Sequence, residues 1–330
     1  MRINSIIENP ISITVLVPCY NGTQTISRCF NSILNQNYPI DFLKILCIDD
    51  GSNDNSLQII KEFQKKFPNR INVIHQENHG VSYTRQKLLD NVSTAYFIFC
   101  DVDDYFANQA IHNLFISSNY GEADATVSKA YRLSKNGHRR VWPLNSHLKN
   151  HMTAEQYLYS NVPILWNILF KTESVNETKF KFKSGINIGE DMCMLFYMFP
   201  KFSSIGICRK KTYYFVQHDD SLTDSRNSKY KNILPTIKQL QYFLSIKKEL
   251  SDTLINEYIF CSFSYIYSVL YVLRRWYRWE PPEKEFTHKI FRELYRVFDR
   301  FNVKLKSPKF WRRRIFWHFF CKRKIDRKYR

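Results

Sequence analysis

The chain has 330 residues, of which 44% are hydrophobic and 16% aromatic, and its formal net charge is +19. This length and composition allow a full buried core and suggest one large or two modest domains, so a disordered polypeptide is excluded. The charge is uneven, because residues 274–330 hold 20 Lys and Arg against 6 Asp and Glu, which accounts for 14 of the 19 net charges.

The start of the chain lacks a charged lead followed by a long apolar stretch, so we expect no secretory signal. The eight cysteines are scattered singly and form no C-x-x-C pair. We therefore expect buried free thiols in a reducing cytosol, and not disulfides or zinc ligands.

Strands and helices alternate along the first third of the chain. Apolar, β-branched runs predict strands over residues 11–17, 42–48, 71–75 and 95–100. Helices are predicted between them, ending near residue 37, at residue 67 and at residue 89. This alternation predicts a largely parallel sheet. No G-x-G-x-x-G follows the first strand and no P-loop motif occurs, so dinucleotide oxidoreductases and P-loop NTPases are poorly supported.

Acidic residues follow the fourth predicted strand, where Asp101, Asp103 and Asp104 end an apolar, aromatic run. Ligands of open α/β sheets bind beyond the carboxyl ends of the strands. Clustered carboxylates there are costly unless a cation neutralises them, and oxygen ligands suit Mg²⁺ or Mn²⁺ bound to a diphosphate. The alternative is a simple acidic turn before a helix. Tyr20, Asp49 and Asp50 follow neighbouring strands and would line the same crevice.

The pattern is less regular after residue 105. We predict a helix over 107–117, a strand over 123–129, a polar loop over 132–150 and a helix over 153–160. A turn at 185–192 then leads into a helix over 192–199, and a strand covers 211–218. From residue 232 onward the pattern is mainly helical.

Six motifs occur in one order along the chain. They are Val17-Pro-Cys-Tyr-Asn-Gly22, Ile48-Asp-Asp-Gly-Ser-Asn-Asp-Asn-Ser56, Asn78-His-Gly80 with Arg85, Asp101-Val-Asp-Asp104, Gly189-Glu-Asp191 and Tyr213-Tyr with His218 and Ser221. This series resembles a bacterial family-2 glycosyltransferase over roughly residues 11–225. The resemblance implies an α/β fold of GT-A type, a Rossmann-like open sheet that binds a nucleotide, with a helical C-terminal region.

By this resemblance, residues 1–225 form the catalytic domain, with a nucleotide-sugar-binding half (11–105) and an acceptor half (106–225), and residues 226–330 form a basic, aromatic helical region. The resemblance also implies the residues that bind the donor, namely Pro18, Tyr20, Asp49, Asp50, Arg85, Asp101 and Asp103. In that comparison Tyr20 stacks on the base, Asp49 or Asp50 accepts hydrogen bonds from base or ribose, and Asp103 ligates Mn²⁺ or Mg²⁺. Arg85 either stabilises the acidic residues or contacts the nucleotide.

The resemblance implies that Asp191 is the general base, which takes a proton from the acceptor hydroxyl. Glu190 and Trp166 would lie in the sugar or acceptor site, and His218 would add a metal or diphosphate contact. For Trp166 a place in the core is an equal alternative, as is a surface loop for His218, and Glu190-Asp191 could be a helix cap.

The C-terminal region mixes aromatic residues with cations over residues 274–279 and 309–324. The most apolar stretch, 259–273, is shorter than the roughly 20 residues needed to span a bilayer. We therefore expect a cytoplasmic protein that attaches peripherally to the anionic inner face of the cell membrane. A solvated basic face or a protein-binding helix is the alternative, and nucleic acid is not expected because no recognised module for it occurs.

The functional hypothesis is an inverting, metal-dependent transferase that moves a sugar from a nucleotide-diphospho-sugar, UDP-linked, to a hydroxyl of a glycan or lipid-linked acceptor in surface polysaccharide synthesis. One rival is a sugar-phosphate nucleotidyltransferase, but the Gly-rich loop expected after the first strand is absent. The other is a non-catalytic scaffold with a membrane-binding tail, which the intact Asp103 and Asp191 argue against.

Overall fold

A computed structural model describes residues 9–134, 136–141, 148–149, 152–160, 164–186, 188–217, 233–246, 250–252, 254–255, 258–259, 262, 293 and 296. The chain divides into two compact units, Met1–Asp219 and Asp220–Arg330. The described part of the second unit includes one helix, Ile233–Ile246. Within the described residues, no helix is both long and apolar enough to cross a bilayer.

The first half of the first unit is a parallel sheet with the strand order β3-β2-β1-β4. Its strands are β1 (Ile13–Cys19), β2 (Leu43–Asp50), β3 (Ile71–Gln76) and β4 (Tyr96–Phe99). The helices between them are α1 (Ile26–Leu34), α2 (Ser56–Lys66) and α3 (Val81–Asn91). Strands β1 and β4 are buried almost throughout, as expected for central parallel strands that are covered on both faces.

The second half extends the same sheet in mixed orientation, giving the order β3-β2-β1-β4-β8-β6-β9-β5 with β7 paired to β6. Its strands are β5 (Tyr105–Phe106), β6 (Ala125–Leu133), β7 (Arg139–Val141), β8 (Ile168–Lys171) and β9 (Ile205–Val216). Its helices are α4 (Ala110–Ser117), α5 (Ala154–Ser160), α6 (Thr172–Glu177) and α7 (Glu190–Met198), and the helix of the second unit is α8.

The prediction of an α/β open sheet with a helix beyond it is confirmed, but that of a largely parallel sheet holds only for the first half. Strand β8 runs antiparallel to both β4 and β6, and β5 runs antiparallel to β9. The predicted loop over 132–150 contains strand β7, which returns along β6 as a hairpin. The predicted strand over 211–218 is longer and begins at Ile205. Tertiary pairing determines these strands, so local pattern alone missed them.

Candidate active site

The loops that follow β1 and β2 are held together by hydrogen bonds. The backbone N–H of Asn21 donates to Ser52 Oγ (2.9 Å), and that of Gly22 donates to Ser56 Oγ (2.7 Å). The backbone N–H of Asn53 donates in return to Asn21 Oδ1 (2.9 Å). A Cβ atom on Gly22 would lie 2.9 Å from Val102 Cγ2, so this position allows the first loop to approach the Asp101–Asp104 turn closely. The ends of β1, β2 and β4 are thereby fixed side by side.

Asp49 and Asp50 have different surroundings although they are adjacent at the end of β2. Both carboxylate oxygens of Asp50 accept hydrogen bonds from the protein: Oδ1 from Gln76 Nε2 (2.7 Å) and His79 N (2.9 Å), and Oδ2 from Gly80 N (2.9 Å). Asp50 therefore anchors the loop between β3 and α3.

Asp49 is fully buried and makes one hydrogen bond, between its Oδ2 and His75 Nδ1 at 2.8 Å. Its other oxygen, Oδ1, is buried and has no hydrogen-bond partner among the described residues. A buried carboxylate oxygen without a donor is costly, so it marks a place where a ligand N–H or O–H would be favoured.

Arg85 joins two of the predicted motifs through a buried ion-pair bridge. Its Nη2 donates to Asp101 Oδ1 at 3.0 Å, and its Nη1 donates to Glu190 Oε1. Burial alone would lower the pKa of Arg85, but the carboxylates of Asp101, Glu190 and Asp191 more than offset this and raise it. The bridge joins α3 and the turn after β4, both in the first half of the unit, to the start of α7 in the second half.

The three aspartates after β4 take different positions. Asp104 is 1% exposed and accepts hydrogen bonds from Tyr213 Oη (2.9 Å) and Val216 N (2.8 Å), so it holds β9 against the turn. Burial raises the pKa of Asp104 well above its usual range, and the carboxylates of Asp103 and Asp101 raise it further. The Tyr213 hydroxyl also accepts a hydrogen bond from Asp101 N (3.1 Å). Asp103 is partly exposed, as is Asp101.

Glu190 and Asp191 begin α7, but they differ in exposure. Glu190 is buried against Arg85, whereas Asp191 is half-buried and its Oδ1 accepts a hydrogen bond from Met192 N at 2.7 Å. Burial raises the pKa of Asp191, although the positive charge of Arg85 opposes this. A raised pKa makes this carboxylate a stronger base, and its partial exposure keeps it accessible.

Tyr20 and Trp166 are the two aromatic residues predicted for the site. Tyr20 follows β1, two residues after Pro18, and its side chain is 48% exposed. Trp166 is 5% exposed and stacks on Tyr213 with ring centroids 4.4 Å apart. Trp166 is therefore part of the hydrophobic core next to the aspartate turn, whereas the ring of Tyr20 is accessible to solvent.

A divalent cation fits the carboxylates on this turn. Among the described residues no three His, Cys, Asp or Glu side chains are grouped to hold a metal. Mg²⁺ and related ions are commonly bound through only one or two carboxylates plus substrate phosphates and water. Asp103 and the second oxygen of Asp101 suit that mode, since Asp104 uses both of its oxygens within the protein. His218, the other predicted ligand, lies outside the described residues.

Sequence patterns gave no structural role to two residues that organise the site: Tyr213, which lies in the last of the six motifs, and Gln76, which lies in none of them. Tyr213 connects the turn of β4 to β9, and Gln76 donates to both Asp50 and Thr84 Oγ1. For Gln76 the only sequence signal was its position at a strand end. For Tyr213 the motif marked the segment but not the contact that the hydroxyl makes.

Residues 14–177 match the model of the family described as glycosyl transferase family 2. Among characterised proteins, the chain is 25% identical over 211 residues to the poly(ribitol-phosphate) beta-glucosyltransferase of Bacillus spizizenii; the match covers 64% of this chain and 33% of that protein. It is also 27% identical over 251 residues to the processive diacylglycerol beta-glycosyltransferase of Mycoplasma genitalium, covering 71% of this chain and 72% of that protein.

Among solved structures, the chain resembles residues 1–349 of S. aureus TarS in complex with UDP-GlcNAc. The TM-score is 0.67 at 17% sequence identity, and the alignment covers 87% of this chain and 83% of the other. At this identity the similarity shows a shared fold of GT-A type.

Proposed function

Because residues 14–177 place this chain in glycosyl transferase family 2, we propose that it is an inverting transferase that uses a UDP-linked sugar donor and a divalent cation. The observation that carries the proposal is the convergence of three features at one strand edge. These are an exposed Tyr20, a buried oxygen of Asp49 that has no hydrogen-bond partner among the described residues, and an Arg85 bridge that connects Asp101 with the start of α7.

The base-binding proposal distinguishes between the two adjacent aspartates of β2. Asp49 is next to Cys19 of β1 in the strand register, one residue from Tyr20. With His75 on its other oxygen, Asp49 Oδ1 remains to accept a hydrogen bond from a base. Uracil carries an N–H on the edge that would face Asp49 Oδ1, so this contact favours a UDP-linked donor. Asp50 instead supports the neighbouring loop.

In the proposed reaction Asp191 accepts the proton of the acceptor hydroxyl as that oxygen forms a bond to the anomeric carbon. The bond from the anomeric carbon to the diphosphate oxygen breaks, and its electron pair leaves with the nucleoside diphosphate. Asp103, with Asp101, would hold a divalent cation that offsets the charge on this leaving group. Glu190 and Arg85 position the start of α7. Direct attack from the opposite face inverts the anomeric centre, and both relatives are named for beta products.

A first test concerns the base-stacking residue. Replacing Tyr20 by Ala should weaken UDP binding about tenfold, because stacking of a base on an aromatic ring contributes about 1–3 kcal/mol. Tyr120 is 64% exposed in the turn after α4 and serves as the matched control for Tyr20→Ala. Calorimetric titration should show Tyr120→Ala binding UDP like the wild type. Equal affinities for both variants would remove Tyr20 from the nucleotide site.

The acceptor is proposed to be a hydroxyl of a surface glycan or of a lipid-linked precursor, in keeping with the names of the two relatives. The region 226–330, most of which lies outside the described residues, is proposed to attach the enzyme to the anionic inner face of the cell membrane. Its residues 309–324 mix aromatic and basic side chains.

This attachment can be tested on the full-length chain. Changing Arg312, Arg313 and Arg314 to Gln should weaken co-sedimentation with phosphatidylserine vesicles about a hundredfold, at about 1 kcal/mol per cation near the lipid. The same number of changes in α2 and β2, at Lys44, Lys61 and Lys65, is the control. If the tail variant sediments like the control, the region does not bind membranes through these cations.

A further inference from the structure

Three tyrosines from three different strands stack on one another next to the aspartate turn. Tyr214 of β9 lies between Tyr105 of β5 and Tyr131 of β6. Its ring centroid is 4.6 Å from that of Tyr105 and 5.1 Å from that of Tyr131, with interplanar angles of 12° and 22°. Both pairs are direct partners in the strand register, so the spacing between strands sets the stacking distance. These three residues are called the tyrosine ladder.

Exposed cations cover the two ends of the tyrosine ladder. The guanidinium carbon of Arg28 lies 5.1 Å from the ring centroid of Tyr105. At the other end, Arg139 lies 4.7 Å and Lys211 Nζ 5.9 Å from the centroid of Tyr131. Arg139 Nη1 also donates to the hydroxyl of Tyr214 at 3.2 Å. Cation–π contacts of this kind hold long, otherwise mobile side chains in place while their charges stay in solvent.

An irregularity in β9 adds further positive charge at the same place. The pairing of β6 with β9 shifts register on both sides of Lys129, so β9 carries extra residues there. Arg209 and Lys210 are among them, and both are exposed. Bulges re-aim side chains and are common next to active sites. Among the described residues, no carboxylate forms an ion pair with Arg139, Lys210 or Lys211.

The tyrosine ladder is continuous with the reacting centre. Tyr105 directly follows Asp104, and Arg28 donates from Nη2 to the backbone oxygen of Asp103 at 2.6 Å. On β9, Tyr214 directly follows Tyr213, so the two side chains lie on opposite faces of the sheet; the Tyr213 hydroxyl contacts Asp101 N and Asp104 on the buried face behind the ladder. Because Arg28 joins the Tyr105 end of the ladder to the backbone of Asp103, a molecule that lies on the ladder would extend from the edge of the proposed donor site.

We propose that the tyrosine ladder and its cations bind a phosphate-bearing, negatively charged segment of the acceptor and so guide its hydroxyl toward Asp191. This inference rests on the proposed function and adds the chemical class of the acceptor. The ring faces are already occupied by neighbouring rings and cations, so they offer little area for stacking a neutral sugar. What the surface presents is a group of exposed cations, of which Arg139, Lys210 and Lys211 form no ion pair among the described residues, and arginine is suited to two-point recognition of phosphate.

The test measures acceptor binding directly, without catalysis. A fluorescent oligo(ribitol phosphate) is titrated into the full-length protein and followed by anisotropy, with a neutral oligosaccharide of equal length as the second probe. The double variant Arg139→Gln/Lys211→Gln should bind the anionic probe at least about tenfold more weakly than the wild type, because it removes two cations that form charge-assisted hydrogen bonds with phosphate. Lys61→Gln/Lys65→Gln on α2 removes the same charge elsewhere and should bind like the wild type. Arg139→Lys/Lys211→Arg keeps both charges and should restore most of the affinity.

Four outcomes decide the matter. Loss of binding in the first variant alone, with recovery in the charge-preserving one, supports the proposal. Equal binding of the anionic probe by the first variant and the wild type overturns it, as does preference of the wild type for the neutral probe. Selective loss of phosphatidylserine-vesicle binding, with oligomer binding retained, would also overturn it and assign the surface to lipid. UDP binding by the wild type, measured separately, tests the proposed function independently of all four outcomes.

Discussion

Replacing Asp191 by Asn should lower the rate of sugar transfer by a factor of about 10²–10⁴, the usual contribution of a positioned general base, while UDP still binds. The amide is nearly isosteric with the carboxylate and can still accept the hydrogen bond from Met192 N, so the start of α7 should be preserved. What it cannot do is take the proton of the acceptor hydroxyl. The measurement is single-turnover transfer at saturating donor.

Glu155, in the first turn of α5, provides the matched control for the loss of a carboxylate at a helix start. Glu155→Gln should transfer sugar at the wild-type rate. The pH profile gives a second readout: burial raises the pKa of Asp191, so transfer should decline on acidification at a higher pH than an exposed aspartate would give. Transfer by Asp191→Asn at the normal rate would assign the base to another residue.

Replacing Arg85 by Met should destabilise the folded protein by about 3–5 kcal/mol, because it leaves two carboxylates at a buried site without their counter-charge. Arg85 is 6% exposed and its partners Asp101 and Glu190 come from elements far apart in sequence. The loss should therefore separate β4 from the start of α7 and impair UDP binding as well as transfer. Urea unfolding measures the stability change.

Lys87→Met, two residues along α3, removes a positive charge outside any buried ion pair and should change stability by less than about 1 kcal/mol. The double variant Arg85→Met/Glu190→Gln should recover part of the stability, because one of the unpaired charges is then gone. If Arg85→Met unfolds at the same urea concentration as the control, the bridge contributes nothing to the fold.

The sequence was sufficient for the features that depend on local pattern. The apolar runs of β1, β2 and β4 predicted buried strands, and the acidic turn at residues 101–104 predicted an edge suited to a cation and a diphosphate. The strand predictions succeed because a continuous apolar run followed by a polar turn has few alternatives in an α/β protein, whereas the cation site stays a prediction.

The sequence could not distinguish Asp49 from Asp50. Strand β2 was predicted to stop at residue 48, but it continues through Asp50, so the two side chains point to opposite faces of the sheet. One meets His75 and the other meets the loop after β3. Which of the two aspartates keeps a carboxylate oxygen without a partner among the described residues therefore depends on where β2 ends. Strand ends are the feature that sequence patterns predict least well.

Contacts between distant parts of the chain were also beyond local pattern. Arg85 and Glu190 are 105 residues apart, and Tyr213 and Asp104 are 109 apart. The tyrosine ladder requires the pairing of β5, β9 and β6, and the short β7 was predicted as loop. Such contacts are set by the order of strands in the sheet, which neither spacing nor composition specifies.

The most direct test of a metal-assisted nucleotide site at this strand edge is calorimetric titration of UDP with Mn²⁺ and, separately, with excess chelator. Wild-type protein and Asp90→Ala, which removes an exposed carboxylate on α3, should bind UDP at least about tenfold more tightly with Mn²⁺, as expected if the ion joins carboxylate and diphosphate. Asp103→Ala should bind UDP equally weakly in both conditions. Wild-type affinity that does not respond to Mn²⁺, or a full Mn²⁺ response in Asp103→Ala, would contradict the proposed role of this site.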